Sequence, residues 1–285
     1  MTETLDAVER TALLTAALRA AETGREDRLY SDPYAARLAG EGGPELLREV
    51  REATFPKDAE RSVPSTPDYN AIRTRFFDDF LQEAAQDPAM HQIVLAPAGM
   101  DSRAYRLDWP SHIRYFEVDR PAVLAYKDER LQDVRPRVDH RSIALDLTSP
   151  DWESELTAAG YDPEQPSTWL LEGLLYYIPR DDAHRILDRV AAIMAPGSRI
   201  AADIVNAAAL TLPNMRVLLD VFAGWGCPWL FGTDEPEALF DAHGFTVEAV
   251  QPGEPAADYG RWPDPVPDRA VADVRRVFFV HGRRT

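Results

Sequence analysis

The chain has 285 residues, 45% of them hydrophobic and 28% charged, and carries a formal net charge of -17. That length holds one large α/β domain with insertions or two small ones, and the composition is that of a globular chain, not a disordered one. So acidic a balance excludes the clustered Lys and Arg that phosphate backbones and anionic membrane surfaces select.

Cys227 is the only cysteine. It rules out an intrachain disulfide and a cysteine-based metal site, and reads as a small buried hydrophobe. The first residues show no basic segment followed by an apolar run, and no apolar run approaches the roughly 18 residues of a membrane span. A cytoplasmic location is therefore expected.

In chain order, Leu14, Leu18 and Ala21, with Leu5, Val8 and Ala17 nearby, predict an amphipathic helix over 4–21. Asp32 and Pro33 read as N-cap and first residue of a second helix. Residues 40–67 mix Gly, Pro, Glu and Lys without a period and read as loop with some helix. A strong helix follows over 68–86: Ile72, Phe76, Phe80 and Ala84 form its buried stripe, widened by Phe77 and Leu81. Arg73 and Arg75 lie beside that stripe, where an arginine ordinarily reaches for solvent.

From His91 the period changes, and short apolar runs alternate with helical segments, the pattern of a parallel sheet covered on both faces. Strands are expected at 92–97, 113–118, 139–144, 167–172, 198–205, 245–250 and 274–281. Helices are expected near 101–107, 120–131, 150–159, 180–195 and 234–243, with Pro196-Gly197 as a stop. Residues 207–232 interrupt the alternation with Leu210, Phe222, Trp225, Trp229 and Phe231, and read as a lid inserted after a strand. The Pro, Asp and Ala of 252–268 suit a surface loop. The expected organisation is an N-terminal helical cap over 1–90 and a core over 91–285.

In open α/β sheets a ligand sits outside the carboxyl ends of the strands. Gly99 and Asp101 follow the first expected strand, Glu117 and Asp119 end the second, Asp146 follows the third, Glu172 follows the fourth and Asp203 lies within the fifth. Recurring acids there suit a ligand rich in donors, such as ribose hydroxyls and an ammonium. An acidic metal site is the rival, but it would draw on separate strands with no His at ligand spacing, so no metal is expected. The turn Ala96-Pro97-Ala98-Gly99-Met100-Asp101 lacks the Gly-x-Gly-x-x-Gly that brings a helix N-terminus to a pyrophosphate. Its acid would repel phosphate, whereas S-adenosylmethionine (SAM) carries a sulfonium and an ammonium. Charge favours SAM over a dinucleotide.

Several segments match one family in order. Ala98-Gly99-Met100-Asp101-Ser102-Arg103-Ala104-Tyr105-Arg106-Leu107 and Tyr115-Phe116-Glu117-Val118-Asp119-Arg120-Pro121 resemble the leucine carboxyl methyltransferase family. So do Asp32-Pro33-Tyr34-Ala35, Arg73-Thr74-Arg75-Phe76-Phe77-Asp78-Asp79-Phe80, Leu145-Asp146-Leu147 and Trp169 through Pro179. The resemblance runs from about residue 10 to Val280. It implies a seven-stranded, Rossmann-like class I SAM methyltransferase sheet and O-methylation of secondary metabolites, as in antibiotic biosynthesis, with S-adenosylhomocysteine (SAH) as the product. By the same resemblance Arg73 holds the SAM carboxylate and Ala98 and Gly99 form the turn against its methionine moiety, beside Asp101. Asp119 binds the ribose, with Glu117 a second candidate facing into the sheet; Asp146 and Leu147 contact the adenine. Glu172 lies near the SAM amino group or the acceptor, and Arg19 could add an N-terminal contact. One departure is Pro97, where the family has the first glycine of Gly-Ala-Gly; proline fixes φ and has no N–H.

A carboxylate acceptor is ionised near neutral pH and needs no base, whereas an alcohol or phenol is helped by one, usually His. None of His91, His112, His140, His184, His243 and His281 falls in a matched motif. Glu172, Tyr176 and Tyr177 are therefore the catalytic candidates, with the lid aromatics around the acceptor. The expected partner is a small hydrophobic molecule bearing a carboxylate or hydroxyl; no nucleic acid or membrane is expected, and a homodimer is admitted. The alternatives are a SAM-fold protein that no longer methylates and an NAD-dependent oxidoreductase.

Overall fold

A computed structural model describes residues 7–54, 66–149, 151–262 and 265–285. Its centre is a seven-stranded sheet: β1 (Gln92–Leu95), β2 (Arg114–Asp119), β3 (Asp139–Ala144), β4 (Ser167–Leu171), β5 (Arg199–Val205), β6 (Phe245–Val250) and β7 (Val277–Arg284). The order across the sheet is β3-β2-β1-β4-β5-β7-β6. Strands β1 to β5 are parallel, and β7 runs antiparallel to β5 and β6. The order reverses at β1 and β4, which opens a crevice at their carboxyl ends.

Alternation along each strand feeds two apolar clusters. Ile93 and Leu95 of β1 face Leu14 and Leu18 of α1 (Ala7–Thr23) and Ile72, Phe77 and Leu81, while Val94 faces the other cluster with Trp152, Ile186, Leu187 and Val190. Both faces are thus buried, as near-continuous apolar strands require. The helices after α1 are α2 (Ala35–Ala39), α3 (Gly43–Thr54), α4 (Thr66–Ala85), α5 (Arg103–Arg106), α6 (Pro121–Leu131), α7 (Trp152–Ala158), α8 (Arg180–Ile193), α9 (Arg216–Gly224) and α10 (Pro236–Asp241). None of the described helices is long and apolar enough to cross a membrane.

Three expectations are corrected and one, the helix within 40–67, is made specific. The last strand is antiparallel and begins at Val277, not 274, which leaves Arg275 and Arg276 in the connection before it. The helix near Pro33 begins at Ala35; Asp32 instead accepts from the Tyr34 N–H at 3.1 Å and turns its carboxylate inward to Arg19 at 2.9 Å. Part of 40–67 is the twelve-residue helix α3, which buries Leu46, Leu47 and Val50 beside α1; residues 55–65 lie outside the described residues. The segment over 101–107 shortens to one turn, α5, because Asp101 accepts from the Arg103 N–H at 2.7 Å and holds the residues before it out of the helix.

Candidate active site

The turn after β1 is built by the sheet around it. The Ala96 N–H donates to Leu170 O at 3.0 Å, and the Ala98 N–H donates to Val118 O at 2.9 Å. The Ala96–Pro97 peptide is cis. Gly99 sits at φ +50°, a conformation costly to any residue with a Cβ. Its N–H donates to Asp119 Oδ2 at 2.6 Å, and the Arg120 N–H donates to Asp119 Oδ1 at 2.7 Å. Burial raises the Asp119 pKa despite these two donors. The carboxylate at the end of β2 and the glycine at the end of β1 thus form one unit beside the crevice.

Next to this unit lies a buried network of guanidiniums and carboxylates. Arg73 Nη1 donates to Asp203 Oδ2 at 2.9 Å, and its Nε lies 3.0 Å from Glu172 Oε1, in a contact that is electrostatic and not an aligned hydrogen bond. Arg103 Nη1 reaches both Asp101 Oδ2 at 2.6 Å and Glu172 Oε2 at 2.9 Å, while its Nε binds Asp78 Oδ1 at 2.7 Å. Arg106 grips Asp78 with two hydrogen bonds of 2.7 Å. Arg19 pairs with Asp32, which also accepts from Ser102 Oγ at 2.7 Å.

Asp203, fully buried, accepts as well from the Gly173 N–H at 2.6 Å and the Tyr69 hydroxyl at 2.8 Å. Gly173 meets it at φ +68°, again a glycine conformation. Burial opposes every charge here. For Asp101 and Asp32 the surrounding guanidiniums outweigh it and hold both carboxyls below the usual range. For Arg73, Tyr69, Asp203 and Glu172 do the same and keep it protonated.

Two adjoining spaces open on this network. A cleft of about 110 Å³ is lined by Pro97, Ala98, Gly99, Asp101, Asp119 and Glu172 below, and by Thr11, Ala12, Thr15 and Arg19 of α1 above. A cavity of about 450 Å³ extends toward β5 and β7, with Tyr69, Leu212, Leu218, Phe222, Trp229 and Trp262 in its wall. Arg73, Tyr176 and Tyr177 line both. Burial raises the pKa of both tyrosine hydroxyls, most for Tyr176 beside Asp203, so neither is a base near neutral pH. Among the described residues no histidine lines either space.

A model of the leucine carboxyl methyltransferase family matches residues 12–191. A protein of Mycolicibacterium gilvum (strain PYR-GCK), assigned as an S-adenosyl-L-methionine-dependent methyltransferase, is 41% identical over 209 residues, covering 72% of this chain and 69% of the relative. The chain belongs to the leucine carboxyl methyltransferase family. A second relative with the same assignment, from Parafrankia sp. (strain EAN1pec), is 42% identical over 202 residues, covering 69% of this chain and 63% of its own length. These matches span about two thirds of the relatives.

Two solved structures share the fold at low identity. A DUF574-family protein of Streptomyces avermitilis has a TM-score of 0.60 at 15% identity, covering 95% of this chain and 97% of its own. A protein of Thermobifida fusca assigned as a methyltransferase has a TM-score of 0.64 at 16% identity, covering 96% and 94%. The family is one of SAM-dependent methyltransferases, and the cofactor is SAM.

Within this family member the structure gathers Arg73, Ala98, Gly99, Asp101, Asp119, Glu172, Tyr176 and Tyr177 around one opening, with Arg19, also expected, beside them. It places Glu117 elsewhere: fully buried, bound to Lys127 Nζ at 2.6 Å and His140 Nε2 at 3.0 Å, and absent from the lining of the cleft. Asp146 is exposed and accepts from the Thr148 N–H and hydroxyl at 2.8 and 2.7 Å, while Leu147 is buried in the second apolar cluster. Neither lines the cleft. Asp101 is paired with Arg103, so its charge does not face a ligand alone. The network as a whole sets Arg19, Arg73, Arg103 and Arg106 against Asp32, Asp78, Asp101, Glu172 and Asp203, with Asp119 at its edge. The surplus is negative and suits a cofactor whose net charge is positive.

Sequence reasoning passed over Arg103, Arg106, Asp78 and Tyr69. For Arg103, Arg106 and Asp78 the signal lay inside the matched segments, where Arg103 sits two residues after Asp101 and Asp78 five after Arg73; Tyr69, outside those segments, carried none.

Proposed function

We propose that this chain transfers the methyl group of SAM to an oxygen of a small, largely apolar secondary metabolite. The observation that carries this reading is the shared wall: Arg73, Tyr176 and Tyr177 border both the cleft at the β1 turn and the aromatic cavity beside it. A donor in one and an acceptor in the other would meet there. When bound, SAM supplies a methyl carbon activated by its sulfonium.

The residues divide the work. Arg73 and Arg19 present guanidiniums to the cofactor carboxylate, and Ala98 and Gly99 give backbone contact to its methionine chain. Asp119 accepts from the ribose hydroxyls, and Asp146 and Leu147, at the end of the neighbouring β3, flank the adenine. Glu172 takes the ammonium while Arg73 and Arg103 fix its position. The cleft has room for the methionine end, so α1, whose Ala12 lies against the Gly99 turn, yields to admit the rest.

Tyr176 and Tyr177, with Phe222 and Trp229, orient the acceptor and keep water from the sulfonium, and residues 207–232 form the lid that does so. With no histidine in the lining among the described residues, the favoured acceptor is an oxygen already ionised near neutral pH, a carboxylate or an acidic hydroxyl. Calorimetry with SAH and with NAD tests the reading. SAH is expected to bind and NAD not, and no SAH binding at millimolar ligand sinks the proposal. Transfer of isotope-labelled methyl from SAM to a panel of apolar acids and phenols then tests the acceptor class.

A further inference from the structure

The wall of the acceptor cavity holds a guanidinium that makes no ion pair with a carboxylate among the described residues, although Asp273 lines the same cavity. Arg275 stands two residues before β7 and lines the cavity between Val274 and Arg276. Its Nη1 meets Met215 Sδ at 3.6 Å, a weak acceptor, and among the described residues Tyr69 is the titratable group that acts on it. Burial holds its pKa down, to about 10, which still leaves it charged at neutral pH. The neighbouring Arg276 is unlike it, spending its guanidinium on the carbonyls of Val274, Asp268 and Val271. Arg73, Arg103 and Arg106 all have carboxylates. Arg275 is half-buried and Asp273 exposed, and a guanidinium set against apolar side chains without a paired anion gains from a ligand anion.

A second group points the same way. Asn70 is 3% exposed and lines the same cavity, and its Oδ1 accepts no hydrogen bond among the described residues. It follows Tyr69 on α4, the residue that faces the Arg275 charge. A buried acceptor of this kind lacks a donor that a ligand can bring.

Position then decides what the anion is for. Between β1 and β7 lie β4 and β5. At about 4.8 Å per strand, the backbone at the start of β7 lies roughly 14 Å across the sheet from the end of β1. Arg275 lines the acceptor cavity and not the cofactor cleft, so a group held there lies on the side of the cavity away from the Gly99 turn. We infer that the acceptor is an apolar acid whose carboxylate is anchored by Arg275 and is not the oxygen that is methylated, and that a hydroxyl or N–H of the same molecule donates to Asn70 Oδ1. This inference rests on the methyltransferase reading above and names the substrate class for it.

Two fluorescent probes with one aromatic frame test it on the SAH-loaded protein: the anion 1-anilinonaphthalene-8-sulfonate and the neutral N-phenyl-1-naphthylamine. Arg275→Met is expected to weaken the anionic probe at least about tenfold, as loss of a charge-assisted contact does, and to leave the neutral probe within about twofold. Arg275→Lys keeps most of the anionic affinity. The thermal midpoint of Arg275→Met does not fall, because methionine replaces an unbalanced charge beside Met215. Equal weakening of both probes, no weakening of either, or a lowered midpoint overturns the inference and makes Arg275 a structural residue. Calorimetry with SAH on the same samples separates the two readings. If SAH fails to bind, the methyltransferase proposal falls; if SAH binds and the probes do not discriminate, only the anchor falls.

Discussion

The cofactor cleft and the acceptor cavity share a wall but are made in opposite ways. Around the cleft every charge has a fixed partner before any ligand arrives: Arg103 alone reaches Asp78, Asp101 and Glu172. The cavity is walled mostly by aromatic and aliphatic side chains, and among its polar groups Arg275 has no paired carboxylate and the Asn70 carbonyl no donor among the described residues. A donor molecule that is always the same can be met by a rigid, preorganised network, since orientation is worth most when nothing must rearrange. An acceptor is recognised by apolar shape and by the few polar groups that await it. The first region should therefore fail as a unit, and the second should fail for the acceptor alone.

The largest effect is expected at Asp203, where Arg73, Tyr69 and the Gly173 N–H converge. Asp203→Ala leaves a buried guanidinium half-paired and should cost about 3–5 kcal/mol in urea unfolding, with SAH binding lost in calorimetry. A variant that binds SAH normally would show that the network does not hold the cofactor site. On the other side, Phe222 packs against Trp225 and Trp229 with ring centroids 5.4 and 5.7 Å apart. Phe222→Ala should cost about 3 kcal/mol by thermal unfolding and abolish transfer to acceptors, yet leave SAH affinity unchanged. If SAH affinity falls in step with turnover, the two regions are not separable.

This division was only half legible in the sequence. Strands β2, β3, β4 and β6 fall within about a residue of their expected ends, because apolar runs bounded by Gly, Pro and charge mark buried strands whatever their neighbours. The acids that such ends present, Asp119 and Glu172, were legible for the same reason. Helix α3 was legible only as some helix within 40–67, since Leu46, Leu47 and Val50 are few among charged residues and gain their meaning only against α1 and α9. The network was not legible either. Arg103 finds Asp78 from 25 residues away and Glu172 from 69, and no local period records a partner at that distance. Glu117 shows the converse: a carboxylate on the expected strand whose charge is consumed by Lys127.

Asp119 offers a smaller and more specific break. Burial holds its pKa above the ordinary carboxylate value, so the folded chain takes up its proton more readily than the unfolded one. Ionising it costs stability as pH rises through that interval, and the cost is complete above it. Ribose hydroxyls that donate to the carboxylate reverse the sign for binding: SAH affinity should be full above the raised pKa and should fall as pH drops through it. Asp119→Asn keeps an acceptor for the Gly99 N–H but cannot ionise. It should weaken SAH about tenfold at neutral pH, the scale of one charged hydrogen bond, and flatten the acid-side decline. A decline that survives in this variant must be assigned to another group.

The smallest effect is expected two residues from one of the largest. Arg73 and Arg75 sit on the same helix, and nothing in their local sequence distinguishes them. Arg73 is buried between Glu172 and Asp203, whereas the Arg75 side chain is 42% exposed and pairs with Asp79 at 3.0 Å one turn on. It also donates to Leu29 O at 3.0 Å and lies over the Tyr259 ring. An ion pair with that much water gains little from Coulomb attraction, which solvent screens. Arg75→Gln should change stability by about 0–1 kcal/mol in urea unfolding and leave SAH affinity unmoved, with the pair measured in a double-mutant cycle with Asp79→Asn. A cycle energy as large as that of the buried network would mean that exposure does not separate the two arginines, and the contrast between charge that builds the site and charge that solvates its back would fail at its clearest point.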